Sequence, residues 1–251
     1  MCGRYVSVAS TDNLYDEFDL DTVVGEDLPP SWNVAPTDAV RMVVERAAHG
    51  ADAVDAPLRQ LRTARWGLVP SWSRDAKGGA RMINARIETV TEKPAFKSAA
   101  ARRRCLLPAL GYYEWRKTEN GKVPYFLHDP DGDTLAMAGL YELWRDPGRA
   151  DDDPLRWLWT CTIITQQATD LLGAIHDRNP VNVAPDMRAA WLDCSDDDPA
   201  VARRLLDELP PARLAPYVVS PAVGNVANNG PELIEPTPTS ADVAVQEQLP
   251  I

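Results

Sequence analysis

Cys105-Leu106-Leu107-Pro108-Ala109-Leu110-Gly111-Tyr112-Tyr113-Glu114-Trp115 is a nearly unbroken apolar run in the middle of the chain. Interruptions at Pro108 and Gly111 divide it into two consecutive buried strands. The same reading extends in both directions. Downstream, Glu119-Asn120-Gly121-Lys122 is a hairpin signal before the strand 124–128 (PYFLH). Asp129-Pro130-Asp131-Gly132-Asp133 is a second, before 134–144, since Asn-Gly and Asp-Gly supply the left-handed backbone of tight turns. A solvated acidic loop, 146–154, then leads to a central strand at 155–165 (LRWLWTCTIIT).

Upstream, strands are expected at 2–9 (CGRYVSVA), 39–45 (AVRMVVE) and 61–69 (LRTARWGLV), with strand or turn at 82–90 (MINARIETV). Residues 31–37 read as a rigid turn, 47–59 as an exposed loop, and Gly78-Gly79 as a flexible one. Helices are expected from Thr11 through Leu20, at 91–103 with Thr91 as N-cap, at 166–175, at 185–193 and at 197–209. The segment 216–235 holds a last strand and turn, and no linker or repeat divides the chain. The fold class is therefore α+β: one domain with a mainly antiparallel, barrel-like β core and flanking helices.

Composition narrows function. The chain has 251 residues, 45% hydrophobic and 25% charged, which suits a globular domain with a substantial core. No stretch approaches ~18 uninterrupted apolar residues, so no membrane span is expected. The N-terminus lacks the apolar core of a signal peptide, and a cytoplasmic location is expected. The four cysteines, Cys2, Cys105, Cys161 and Cys194, form no Cys-x-x-Cys pair, so neither a zinc site nor a disulfide framework is expected. Cys105 and Cys161 lie in apolar runs and read as packing residues. Asp outnumbers Glu and Arg outnumbers Lys, as a salt-adapted cytosol would favour.

A net charge of −11 argues against nucleic acid until its distribution is considered. Between Arg62 and Arg116 there are nine Arg and three Lys against four acids. One basic block in an acidic chain predicts a local anion-binding surface.

Chemistry is suggested at the first residues. Removal of Met1 would expose Cys2, whose α-amino group (pKa ~7.7–8.0) and thiol (~8.5) are both partly deprotonated near neutrality. Such a 1,2-aminothiol reacts with an aldehyde first as an amine, giving a Schiff base, and then as a thiol, closing a thiazolidine ring. No internal cysteine can do this. Three polar residues lie inside otherwise apolar stretches: Asn84 in MINARIET, Glu114 in LGYYEW and His176 in AIHDRNP. A carboxylate among Tyr112, Tyr113 and Trp115 should be poorly solvated and able to donate a proton. A histidine moves protons near pH 7, and an asparagine amide orients a partner without charge. Each has a structural alternative: a buried ion pair, a helix C-cap and a turn residue respectively.

Six motifs in order carry a resemblance to a known family. They are Cys2-Gly3-Arg4-Tyr5, Asn33-Val34-Ala35-Pro36-Thr37, Trp66-Gly67-Leu68-Val69-Pro70, Asn84-Ala85-Arg86-Ile87-Glu88-Thr89, Glu114-Trp115 and Ile175-His176-Asp177-Arg178. Val223-Gly224-Asn225-Val226 and Glu232-Leu233-Ile234 extend the likeness to about Pro236. Together they resemble the SRAP family, the SOS response-associated peptidase domain of abasic-site shielding proteins. The resemblance implies one SRAP-like domain over 1–236, with 237–251, rich in Pro, Thr and Ser, left as a disordered tail.

It also implies a partner, single-stranded DNA holding an abasic site, and a covalent thiazolidine crosslink to the sugar aldehyde in the DNA damage response. No cofactor and no metal are implied, and a monomer is expected. Carried over by residue, Cys2 would supply amine and thiol, Asn84 would position amine and sugar, and Glu114 would assist ring-opening and proton movement. His176 would act as acid and base on the sugar hydroxyl. Arg4, Arg86 and Arg178 would grip phosphates, Trp72 and Trp115 would stack on bases, and Asn33 and Thr165 would help hold the strand. Trp66 is also expected near this groove. Two departures stand out: Ser73 where a second aromatic is common, and Pro221 where an arginine is common. Two other functions remain compatible with these residues. One is a cysteine peptidase with Cys2 as nucleophile and His176 as base, including autocatalytic removal of Met1; the other is a non-covalent single-strand binding module.

Overall fold

The structure is a computed structural model that describes residues 2–46 and 57–237. In chain order, β1 (Tyr5–Ser7) leads to α1 (Thr11–Glu17), whose N-cap Ser10 accepts the Asn13 N–H at 3.1 Å. Next come β2 (Thr22–Val24), β3 (Ser31–Val34), β4 (Ala39–Arg46) and β5 (Leu58–Trp66). The rigid turn read at 31–37 is thus half strand, since Ser31–Val34 pairs with β1. Of the loop read at 47–59, residues 47–56 lie outside the described residues and Leu58 already begins β5.

A 3₁₀ turn over Lys77–Arg81 precedes β6 (Asn84–Arg86) and α2 (Pro94–Arg102). The Gly78-Gly79 segment is not an open loop. Gly79 is buried, and a Cβ there would lie 2.6 Å from the Gly67 carbonyl oxygen. Gly67 sits at φ +128°, where its own Cβ would meet Gly79 O at 2.6 Å. Both positions need glycine, because two backbones touch there. Helix α2 begins at Pro94 with Lys93 as N-cap, not at Thr91, because proline at the first position presets the helical φ and needs no N–H partner.

The central apolar run forms β7 (Arg104–Ala109) and β8 (Gly111–Thr118), which enter different sheets. Strand β9 (Gly121–His128) closes a hairpin on β8 with Thr118 opposite Gly121. The second hairpin reading fails: β10 (Leu135–Arg145) pairs with β7, and Asp129–Asp133 carries the chain from one sheet to the other. Strand β11 (Trp157–Gln167) pairs with β10, followed by α3 (Asp170–Ile175), β12 (Arg178–Pro180), α4 (Arg188–Leu192), α5 (Pro199–Glu208) and β13 (Ala215–Val218). The tail expected from 237 lies, beyond Thr237, outside the described residues.

Strands β4, β5, β11, β10 and β7 form a closed five-stranded barrel, antiparallel except where β5 meets β11 in parallel at Arg65–Thr160 and Trp66–Cys161. A second, antiparallel sheet runs β13-β9-β8-β1-β3. Alternation divides the core. Val40, Met42, Val44, Ala64, Trp66, Cys161 and Ile163 fill the barrel with Cys2, Tyr5 and Tyr112. Val43, Leu106, Ala138 and Ile164 point outward under the helices. Strands apolar on both faces follow from burial on both faces.

Arg104, 1% exposed, donates to the carbonyls of Ala100 (3.0 Å), Ala101 (3.1 Å), Trp191 (2.7 Å) and Asp193. It joins the C-terminal ends of α2 and α4, where the helix dipoles favour a cation.

Candidate active site

The site is assembled by the start of the chain lying along β8. Tyr5 pairs with Tyr112, and the Arg4 carbonyl still accepts the Tyr113 N–H at 2.9 Å. Cys2 is thereby carried into the mouth of the barrel, with no exposed surface. Asn84, at the head of β6, lies opposite Ile163 of β11 and donates from Nδ2 to the Cys2 carbonyl at 2.7 Å. Its Oδ1 is buried without a hydrogen-bond partner among the described residues.

Glu114 lies on the same face of β8 as Tyr112 and is 3% exposed. Burial pushes its carboxyl up to about 7, with the positive amino end of the chain pulling the other way. His176 follows α3 directly, and its Nε2 lies 3.9 Å from Glu114 Oε2. His176 Nδ1 faces both the Arg178 N–H at 3.1 Å and Asp177 Oδ1 at 2.9 Å. Burial lowers the imidazole pKa. For the Cys2 thiol, burial and then the Glu114 charge raise the pKa, so it is held as a thiol. A carboxyl half protonated at neutral pH beside a neutral imidazole can give and take a proton at the same place.

Of the sequence-predicted residues, Cys2, Asn84, Glu114 and His176 come together. The others divide. Trp72 is 69% exposed beside Arg74, Lys77 and Arg81, which line a cleft with it. Arg86 is exposed, its carbonyl accepts the Thr89 N–H at 3.0 Å, and its side chain makes no hydrogen bond or ion pair among the described residues. Trp115 is half-buried against the apolar cluster of Val6 and Tyr113. Thr165 is buried on β11 opposite Arg86.

Arg4 and Asn33 are occupied internally. Arg4 donates to Asn33 Oδ1 (2.8 Å) and the Val223 carbonyl (3.0 Å), while Asn33 Nδ2 reaches the carbonyls of Asn225 (3.1 Å) and Asn228 (2.9 Å). Together they pin the 223–228 turn. Arg178 is held by Glu88 at 2.6 and 3.0 Å. Trp66 lies in the barrel, not at the groove: fully buried, it packs edge-on against Tyr5 and donates to the Ile83 carbonyl at 2.9 Å.

The basic block is also only partly a surface. Arg104 is buried, Arg103 pairs with Glu142 at 2.8 Å, Arg102 pairs with Asp197, and Arg62 stacks on Trp159 at 4.2 Å. Sequence reasoning missed Glu88 and the hydroxyls of Tyr5 and Tyr112, which are buried without hydrogen-bond partners among the described residues. Only the NARIET motif hinted at Glu88. Among the described residues no group of three or more His, Cys, Asp or Glu could hold a metal ion, and no helix is long and apolar enough to cross a membrane.

Residues 1–226 match the family described as SOS response associated peptidase (SRAP). The chain belongs to the SRAP family. Among curated SRAP relatives, the abasic site processing protein YoqW of Bacillus subtilis is 36% identical over 237 residues, covering 94% of this chain and 99% of YoqW. The abasic site processing protein HMCES of Gallus gallus is 31% identical over 230 residues, covering 82% of this chain and 66% of its own. A crystal structure of a protein from Bacteroides thetaiotaomicron has the same fold, with a TM-score of 0.74 at 23% identity, covering 94% of this chain and all of that one. In this chain the SRAP fold is an α+β barrel with Cys2 at its mouth.

Proposed function

We propose that this chain processes abasic sites in single-stranded DNA by crosslinking them to Cys2 after Met1 is removed. The observation that carries the reading is the seating of Cys2: buried, held through its carbonyl by Asn84, and beside Glu114 and His176. The reaction joins an aldehyde and a 1,2-aminothiol with loss of one water. The Cys2 amine attacks C1′ of the open sugar to give a carbinolamine, and protonated Glu114 donates to the departing hydroxyl. The iminium so formed returns its N–H proton to Glu114, and the imine carbon is attacked by Sγ, the thiol proton ending on nitrogen as the ring closes. A thiol held protonated suits this order, because the sulfur acts only after the amine has bound the sugar.

Asn84 Oδ1 accepts from the amine, and His176 exchanges a proton with the sugar hydroxyl. Arg86 and the Trp72 rim contact the strand. A peptidase would need the Cys2 sulfur as a thiolate from the outset, and the raised pKa of the thiol gives that reading less support.

The test is a denaturing gel after incubation with abasic single-stranded DNA, using wild type, a protein acetylated at its amino terminus, and a Met1-retaining form, with mass spectrometry of each. Only the free-cysteine protein is expected to give a gel-stable product. A product formed equally well by the acetylated protein would overturn the crosslinking chemistry.

A further inference from the structure

We propose that Glu88 is a positioning residue for this reaction: its carboxylate clasps Arg178 across the end of β11 and so fixes His176 relative to Asn84. The proposal rests on the function argued above. Asn84 heads β6 and Arg178 heads β12, and these strands flank the end of β11 on opposite sides. Asn84 and Arg86 lie opposite Ile163 and Thr165, while Arg178 and Pro180 lie opposite Gln167 and Thr165. Each flanking strand has only three residues, and so short a ladder resists local opening poorly.

Glu88, two residues beyond β6, supplies the missing tie. Its two oxygens accept from Arg178 Nη1 at 2.6 Å and Nη2 at 3.0 Å, a bidentate geometry that fixes direction as well as distance. Nη2 also donates to the Thr165 carbonyl, which accepts the Ile87 N–H at 2.9 Å as well. One guanidinium thus binds β11 and the segment after β6 to β12. The backbone N–H of the same Arg178, 3.1 Å from His176 Nδ1, and the neighbouring Asp177 Oδ1, 2.9 Å from it, hold the ring with Nε2 facing Glu114 at 3.9 Å. Displacing Arg178 turns the imidazole.

The pair is asymmetric: the Arg178 side chain is 11% exposed and that of Glu88 is 49%. Removing Glu88 leaves a mostly buried cation without its counter-charge, which drives the guanidinium outward. Arg86, exposed and unpaired among the described residues, remains to meet phosphate.

The test uses single-turnover crosslinking to an abasic oligonucleotide across pH for wild type, Glu88→Gln and Glu88→Ala. Affinity is measured separately on a tetrahydrofuran abasic analogue that cannot react, and the His176 ring is followed by NMR titration without DNA. Misplacement of a proton-transfer group by a fraction of an ångström should slow Glu88→Ala about tenfold at saturating DNA, and Glu88→Gln less. Analogue affinity should be unchanged or higher.

The pH at which His176 titrates should move in Glu88→Ala. The charges facing that ring are Glu114, Asp177, Lys117 and the amino end, and none is altered by the substitution. A wild-type rate at saturating DNA, or a slow variant whose histidine titrates as wild type, would overturn the proposal. If wild type itself forms no crosslink, the proposed function fails, while the histidine titration still decides whether the clasp orients His176.

Discussion

Around Cys2 the groups proposed to carry the chemistry are buried: Cys2 has no exposed surface and Glu114 has 3%. Around Trp72, 69% exposed, the cations Arg74, Lys77 and Arg81 stand in solvent. The difference follows from what each kind of group needs. A carboxyl pushed up to about 7 requires removal from water, whereas an attraction for phosphate acts through solvent and is tuned by salt. Chemistry and capture should therefore be separable by substitution.

The comparison breaks or sharpens most sharply at Cys2. Cys2→Ala should abolish gel-stable product on abasic DNA while changing affinity for an unreactive analogue by less than about threefold, an estimate that treats one buried side chain as no part of the phosphate contact. Glu114→Gln should slow crosslinking by about a hundredfold, the lower range for loss of a general acid. Glu114 donates only while protonated. The wild-type rate should therefore fall as pH rises through about 7, and the Gln variant should lose that limb. The contribution of this raised carboxyl to folding stability is present at low pH and is lost as pH rises through about 7, because the same group ionises first in the unfolded chain.

Arg104→Met tests the claim that part of the basic block is structural: unfolding should show a loss of about 3 kcal/mol, as buried carbonyls lose their donor, with DNA affinity little changed. Trp72→Ala should weaken binding about tenfold by loss of one stacking contact, without altering the rate at saturation. Smallest of all, Arg86→Ala should reduce the slope of log affinity against log salt by about one. If instead Trp72→Ala lowers the saturated rate, the separation of rim from buried site is wrong.

Much of the fold was legible because strand alternation and apolar runs are local. Strands β4, β10 and β11 begin within about two residues of where the apolar pattern places them. Pairing was not legible. The turn at Asp129–Asp133 has hairpin chemistry, yet β9 and β10 belong to different sheets, because a turn type does not say which edge offers the better partner. Asn84, Glu114 and His176 are recognisable as polar groups in apolar surroundings, Cys2 as a terminal aminothiol, and all four as parts of spaced motifs. The cations were not sortable in the same way. Arg104 and Arg81 look alike in sequence, and only packing against two helix ends makes one of them structural.

By itself the sequence determined that a 1,2-aminothiol could be exposed at the start of a β-rich chain and that Asn84, Glu114 and His176 stand in apolar settings. Residue type and nearest neighbours fix those properties. Tertiary structure decided that the three meet Cys2 at one barrel mouth, that Arg178 is clasped by Glu88, and that Arg4 and Asn33 hold a turn. These depend on strands far apart in the chain lying side by side, and no local preference encodes which of them do.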